Sequence, residues 1–131
     1  MHSWKDLFHI LTRNGKIERA LILDSVGNVV ISSSGLDASQ KDVNVIYNTL
    51  NLRLRTLTKI KFCGNVYICF KHNDEKDTFM GKSGEFILVA HRANDVTVVG
   101  IAHSTTPGSC LYEVTSFCER MSRIRKRSRL T

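Results

Sequence analysis

The stretch from Asp95 to Met121, DVTVVGIAHSTTPGSCLYEVTSFCERM, limits the possible folds of this chain more than any other. Val96, Val98, Val99 and Ile101 form a β-branched run long enough for one buried strand, and Gly100 interrupts it where another element must come close. Ser104-Thr105-Thr106-Pro107-Gly108 then breaks the pattern. Thr106 can cap the orphan N–H groups of a helix, and Pro107 suits the first helical position because its missing N–H costs nothing there. Beyond it Cys110, Leu111, Val114, Phe117, Cys118 and Met121 recur at helical spacing, so one stripe of the helix is apolar. Glu113, Thr115, Ser116, Glu119 and Arg120 occupy the opposite side. A strand thus feeds a terminal helix that must lie back across its own sheet.

The rest of the chain supplies that sheet. Ser3-Trp4-Lys5-Asp6 reads as a helix start, followed by Trp4, Leu7, Phe8 and Leu11 at helical spacing and a stop at Asn14-Gly15. Ala20–Leu23 and Val29–Ser32 predict a hairpin turning through Gly27, and a second helix follows from Ser39 with Val43, Ile46, Tyr47 and Leu50 inward. Residues 52–62 read as a loop leading into a strand. Val66–Lys71 and Thr78–Met80 predict strands on either side of a His72–Asp77 turn, with Gly81-Lys82-Ser83-Gly84 as a second turn. Glu85–Arg92 and Val96–Ala102 complete the set, joined by Ala93-Asn94-Asp95. The fold class is α+β: an antiparallel meander sheet with the N- and C-terminal helices packed together on one face.

At 131 residues and 42% hydrophobic content, with one proline, the chain is one domain able to bury its own core. No apolar run reaches the roughly 20 residues of a membrane span, and the first 15 residues lack a signal-peptide core, so a cytosolic or nuclear protein is expected. Cys63, Cys69, Cys110 and Cys118 match no zinc spacing, and reduced, buried thiols are expected. The net charge of +7 is concentrated at one end, where Arg120, Arg123, Arg125, Lys126, Arg127 and Arg129 face no acid. This divides the chain into a domain over residues 1–122 and a basic tail over 123–131. Such a block is either a solvated tail or a footprint for anionic lipid, nucleic acid or an acidic protein.

No catalytic set emerges. Gly81-Lys82-Ser83 lacks the glycine a phosphate loop needs at position 76, which is Lys76, and it enters a strand instead of a helix. The histidines His2, His9, His72, His91 and His103 form no ligand pair, and nothing local activates a thiol. Asp74, Glu75 and Asp77 read as turn carboxylates. A non-enzymatic binding protein without metal or cofactor is expected.

Four motifs in register now add a specific resemblance: Ser3-Trp4, Gly81-Lys82-Ser83-Gly84, Val98-Val99-Gly100-Ile101 and Thr106-Pro107-Gly108-Ser109-Cys110. In this order and at similar spacing they resemble the Ser-Trp start, Gly-Lys-Lys-Gly turn, Val-Gly-Ile strand and Thr-Pro-Gly-Gln-Cys helix start of one branch of the profilins. The resemblance implies a monomeric, cytoplasmic, cytoskeletal protein that binds monomeric actin through its middle strands and last helix. By the same resemblance the actin contacts fall at Lys71, His91, Gly108, Tyr112, Thr115, Ser116 and Glu119. Gly108 matches directly, whereas His91, Tyr112, Thr115, Ser116 and Glu119 carry different chemistry from the family. Profilins also take proline-rich segments in an aromatic groove between the terminal helices. Here Trp4 matches, but the other ring positions fall at Leu7, Val30 and Arg120, so polyproline binding is expected to be weak or absent. Anionic phosphoinositide membranes are a further expected partner, through Arg123, Arg125, Lys126 and Arg127, and no specific nucleic acid is expected. Two alternatives remain beside this one: a non-catalytic α+β scaffold, and a basic-tail protein that binds anions without actin.

Overall fold

The computed structural model describes residues 4–13, 17–33, 36–51, 58–73, 77–93, 96–103 and 107–130. Its elements are α1 (Trp4–Arg13), β1 (Arg19–Leu23), β2 (Val29–Ser32), α2 (Gln40–Asn51), β3 (Thr58–Phe62), β4 (Asn65–Asn73), β5 (Thr78–Ser83), β6 (Phe86–Ala93), β7 (Val96–His103) and α3 (Pro107–Leu130). One seven-stranded sheet runs in the order β2-β1-β7-β6-β5-β4-β3, and every neighbouring pair is antiparallel. The meander is therefore β3 to β7, and the β1–β2 hairpin adds its first strand to the far side of β7.

Strand alternation sends side chains to two cores. Ala20, Ile22, Ile87, Val89, Val96 and Val98 meet Leu11 of α1 and Cys110, Val114, Phe117 and Cys118 of α3 on one side. Leu21, Leu23, Leu88, Ala90, Val99 and Ile101 meet Val43, Ile46 and Leu50 of α2 on the other. Gly100 is where α3 comes closest: a Cβ there would stand 2.7 Å from Val114 Cγ2 and 3.3 Å from Ile17 Cδ1. The expected interruption in that strand is a contact with the last helix.

Asp42 joins α2 to the sheet. Its Oδ2 accepts from the Ser39 N–H at 2.9 Å and the Ser39 hydroxyl at 3.0 Å, and Ser39 Oγ accepts from the Asp42 N–H at 3.2 Å. This is a reciprocal capping box with Asp in the Glu position. The other oxygen, Oδ1, accepts from the Cys63 N–H at 3.1 Å and so ties the cap to the β3–β4 turn. That turn has both central residues at positive φ, Cys63 at 49° and Gly64 at 85°, as a two-residue hairpin requires. Partial burial of Asp42 opposes ionisation, but the backbone donors of Ser39 and Cys63 outweigh it and hold the carboxyl below its ordinary 3.8. A depressed carboxylate adds stability above its unfolded pKa, and that stability is lost as pH falls through the folded value. Asp42→Ala should cost about 1–2 kcal/mol at neutral pH, as for a lost cap. The gap between parent and variant in urea midpoints should narrow below about pH 4. A gap that stays constant down to the acid limit would show that the carboxylate charge is irrelevant.

Three expected boundaries move. Strand β4 continues through His72 and Asn73, which pair with Phe79 and Thr78, so the turn expected from His72 is shorter. Its register shifts between Cys69 and Lys71, and a bulge of this kind breaks the alternation by which a sequence reveals a strand. Gly81-Lys82-Ser83 lies within β5, and the turn is Gly84-Glu85, with Gly84 at φ 58°. Helix α3 shows no break at residue 122 and runs on to Leu130, so the segment expected as a tail is helical over 123–130. The Thr106 and Ser3 caps and the loop at 52–57 lie outside the described residues.

Candidate functional site

Helix α3 packs on β6 and β7, and Met80 of β5 is buried in the same core. Farther along the same side of the sheet, on β3, on β4 and at Lys82 of β5, the described side chains are exposed. On β4, Tyr67 and Cys69 turn toward α2, and the alternating Val66 and Ile68 face the open side, 51% and 45% exposed. Register sets Lys61 opposite Val66, and Lys59 and Lys82 on either side of Ile68. All three lysines are exposed. The result is an aliphatic pair framed by three cations. An apolar centre with a charged rim is the usual make-up of a protein-docking surface.

On the helix, Gly108, Tyr112, Glu119 and Arg120 are exposed, with Tyr112 at 68%, while Thr115 and Ser116 are half-buried. The Thr115 hydroxyl donates to its own helix, to Leu111 O at 2.9 Å, which leaves its methyl as the more available group. Lys71 sits in β4 opposite Met80, and its side chain lies outside the described part. His91 is a correction. It was expected as a surface contact, but its side chain is buried, sharing a 2.6 Å hydrogen bond between Nδ1 and the Thr78 hydroxyl. The cause is alternation along β6: His91 follows Ile87 and Val89 into the row beneath α3, where its carbonyl accepts from Cys118 Sγ at 3.7 Å.

The groove residues are only partly visible. Trp4 and Leu7 belong to α1, with side chains outside the described part. Val30 is half-buried against the α1–α3 core, and Arg120 is exposed. Arg123, Arg125, Lys126 and Arg127 are positions of α3.

The thiols are far from reactive. All four are free, with Cys110 and Cys118 buried and Cys63 and Cys69 half-buried. Burial pushes Cys110 up to about 12, and burial with the Asp42 carboxylate raises Cys63 to about 11. Among the described residues no group of three His, Cys, Asp or Glu side chains could hold a metal ion. No helix there is long and apolar enough to cross a membrane.

Val66, Ile68, Lys59, Lys61 and Lys82 were missed in the sequence. Val66-Tyr67-Ile68-Cys69-Phe70 is apolar at every position, so its two faces look alike. The available signal was in the neighbouring strand, where Lys59 and Lys61 alternate with the buried Ile60 and Phe62.

Together these features define a small α+β binding domain, with one sheet face shared between a terminal helix and an open cationic surface. The chain belongs to the profilin family, whose model matches residues 2–123. Solved structures agree on the fold. Schizosaccharomyces pombe profilin is 20% identical with a TM-score of 0.78, over 93% of this chain and 98% of that one. LokiProfilin2, in its complex with rabbit actin, is 15% identical with a TM-score of 0.76, over 92% and 97%. Mouse profilin IIa, in complex with a double repeat from the FH1 domain of mDia1, is 14% identical with a TM-score of 0.72, over 92% and 96%. At these identities the likeness is one of fold. No curated protein matches the sequence.

Proposed function

We propose that this chain binds monomeric actin and regulates its polymerisation in the cytoplasm, as a non-enzymatic protein. The observation that carries the reading is the aliphatic pair Val66 and Ile68 among Lys59, Lys61 and Lys82, on the side of the sheet that holds α3 with Tyr112 and Glu119 exposed. Membership of the profilin family, and a relative of the same fold solved with rabbit actin, support the choice of partner. Lys71, Gly108, Tyr112, Thr115, Ser116 and Glu119 are the remaining contacts in this reading. His91 contributes through its strand and not through its ring. The test is pyrene-actin polymerisation, which the purified chain should slow by sequestering monomer. Lys71→Glu with Glu119→Lys should weaken binding by ~1–3 kcal/mol at an unchanged melting temperature. Parent-like binding by that double variant would misplace the face.

Two finer activities follow from departures in sequence. A relative solved with an FH1 repeat motivates a test of proline-rich ligands. Here Leu7, Val30 and Arg120 offer no ring to stack on prolines, and each missing ring is worth ~0.5–1.5 kcal/mol. Little or no retention on polyproline resin is expected at physiological salt. Retention that disappears with Trp4→Ala would show that one ring suffices. Phosphoinositide vesicles should bind through Arg123, Arg125, Lys126 and Arg127, with affinity falling as salt rises.

A further inference from the structure

The last helix outruns the family domain. The profilin match closes at residue 123, while α3 continues to Leu130. Beyond Met121 that continuation carries Arg123, Arg125, Lys126, Arg127 and Arg129 and no acid. Cations are favourable at the negative end of a helix dipole, which is one reason for the helix to persist here.

Helical register sorts these cations into two sets. Eleven residues make about three full turns, so positions eleven apart lie on one line of the helix. Arg123 stands eleven positions after Tyr112, Lys126 eleven after Thr115, and Arg127 eleven after Ser116. These three continue the line of the candidate docking residues. Arg125 stands eleven after Val114, and Arg129 eleven after Cys118, both fully buried against the sheet. This second pair continues the line of the core.

We propose that Arg123, Lys126 and Arg127 are an added part of the protein-docking face. They engage acidic side chains of the partner that covers Tyr112 and Glu119. The inference rests on the actin reading above and extends it past the family domain. Reach allows it: Tyr112 and Arg127 are about 22 Å apart along the helix, within an interface of ~800 Å² per partner, roughly 30 Å across. Charge points the same way. Lys59, Lys61 and Lys82, on the sheet part of this side, have no ion-pair partner among the described residues, so a complementary partner presents acids here. An acidic rim of this kind acts mainly on association, and the contribution is screened by salt.

The experiment compares two full-length double variants that remove the same charge from different lines of the helix, Arg123→Ala/Lys126→Ala and Arg125→Ala/Arg129→Ala. Association with monomeric actin is followed by stopped flow across a salt series, with melting temperatures as a folding control. At low salt the first variant should associate about tenfold more slowly, and the second within about twofold of the parent. All three should converge near about 0.5 M salt, where long-range steering between charges is screened. Equal slowing in both variants would mean bulk charge and would overturn the inference, as would a parent-like first variant. So would actin association unchanged in both variants alongside equal loss of binding to phosphatidylcholine vesicles containing phosphoinositide, which would assign the cations to lipid. A parent chain that does not bind actin removes the functional reading itself, and this inference with it.

Discussion

A chain that ends at Gly108 will not unfold cooperatively. The truncation removes Cys110, Val114, Phe117 and Cys118, all buried, and uncovers the α3 side of the central strands at Ile87, Val89, Val96 and Val98. Burying one such aliphatic or aromatic side chain is worth about 1.5–3 kcal/mol. The lost side chains and the apolar surface they cover together rival the 5–15 kcal/mol by which domains of about this size are stable. The expected product keeps some strand signal in circular dichroism, binds a hydrophobic dye and melts without a heat-absorption peak. A soluble truncate with a sharp calorimetric transition would show that α3 is an accessory and not a core helix. A point change probes the same contact. Gly100→Val would set a Cβ 2.7 Å from Val114 Cγ2, with Ile17 closing the space beside it. Strand β7 lies between β1 and β6 and is poorly placed to yield. Overpacking of this kind costs about 1–3 kcal/mol.

These strongly placed elements are also the ones most legible in the sequence. A β-branched run, a glycine inside it, a proline at the helix start and a helical stripe are mutually consistent, and each survives in β7, Gly100 and α3. The hairpin β1–β2 and the start of α2 behind Ser39 were legible for the same reason, because local chemistry and tertiary packing agree there. Legibility failed where position depends on a partner strand. The register shift after Cys69 is a property of the β4–β5 pair, and no local pattern announces it. His91 is polar by type yet packs beneath α3, because its face was chosen by Ile87 and Val89, four and two positions earlier. The open surface was hidden for a third reason. Val66 and Ile68 are apolar residues that resemble core, and only their cross-strand pairing with Lys59, Lys61 and Lys82 reveals a solvent face.

That surface leads to the second large effect. Ile68→Asp should abolish measurable actin binding while leaving the free protein as stable as the parent. The two halves of the expectation have separate causes. In the free chain Ile68 is 45% exposed and flanked by Lys59 and Lys82, so an aspartate there stays hydrated and gains two cationic neighbours. In a complex that covers Val66 and Ile68 the same carboxylate is buried among groups selected to meet an aliphatic side chain. It must then give up its water without a designed partner, and truncations or charges at the centre of an interface cost ~2–4 kcal/mol. By comparison, Lys59→Glu reverses a rim charge and should act mainly on association and its salt dependence. Calorimetric titration with monomeric actin, beside thermal melts, separates these cases. If Ile68→Asp binds as tightly as the parent while Tyr112→Ala does not, docking is confined to α3. The exposed aliphatic pair on β4 would then be an ordinary solvated strand face, and the reading of the open sheet as a binding surface would fail.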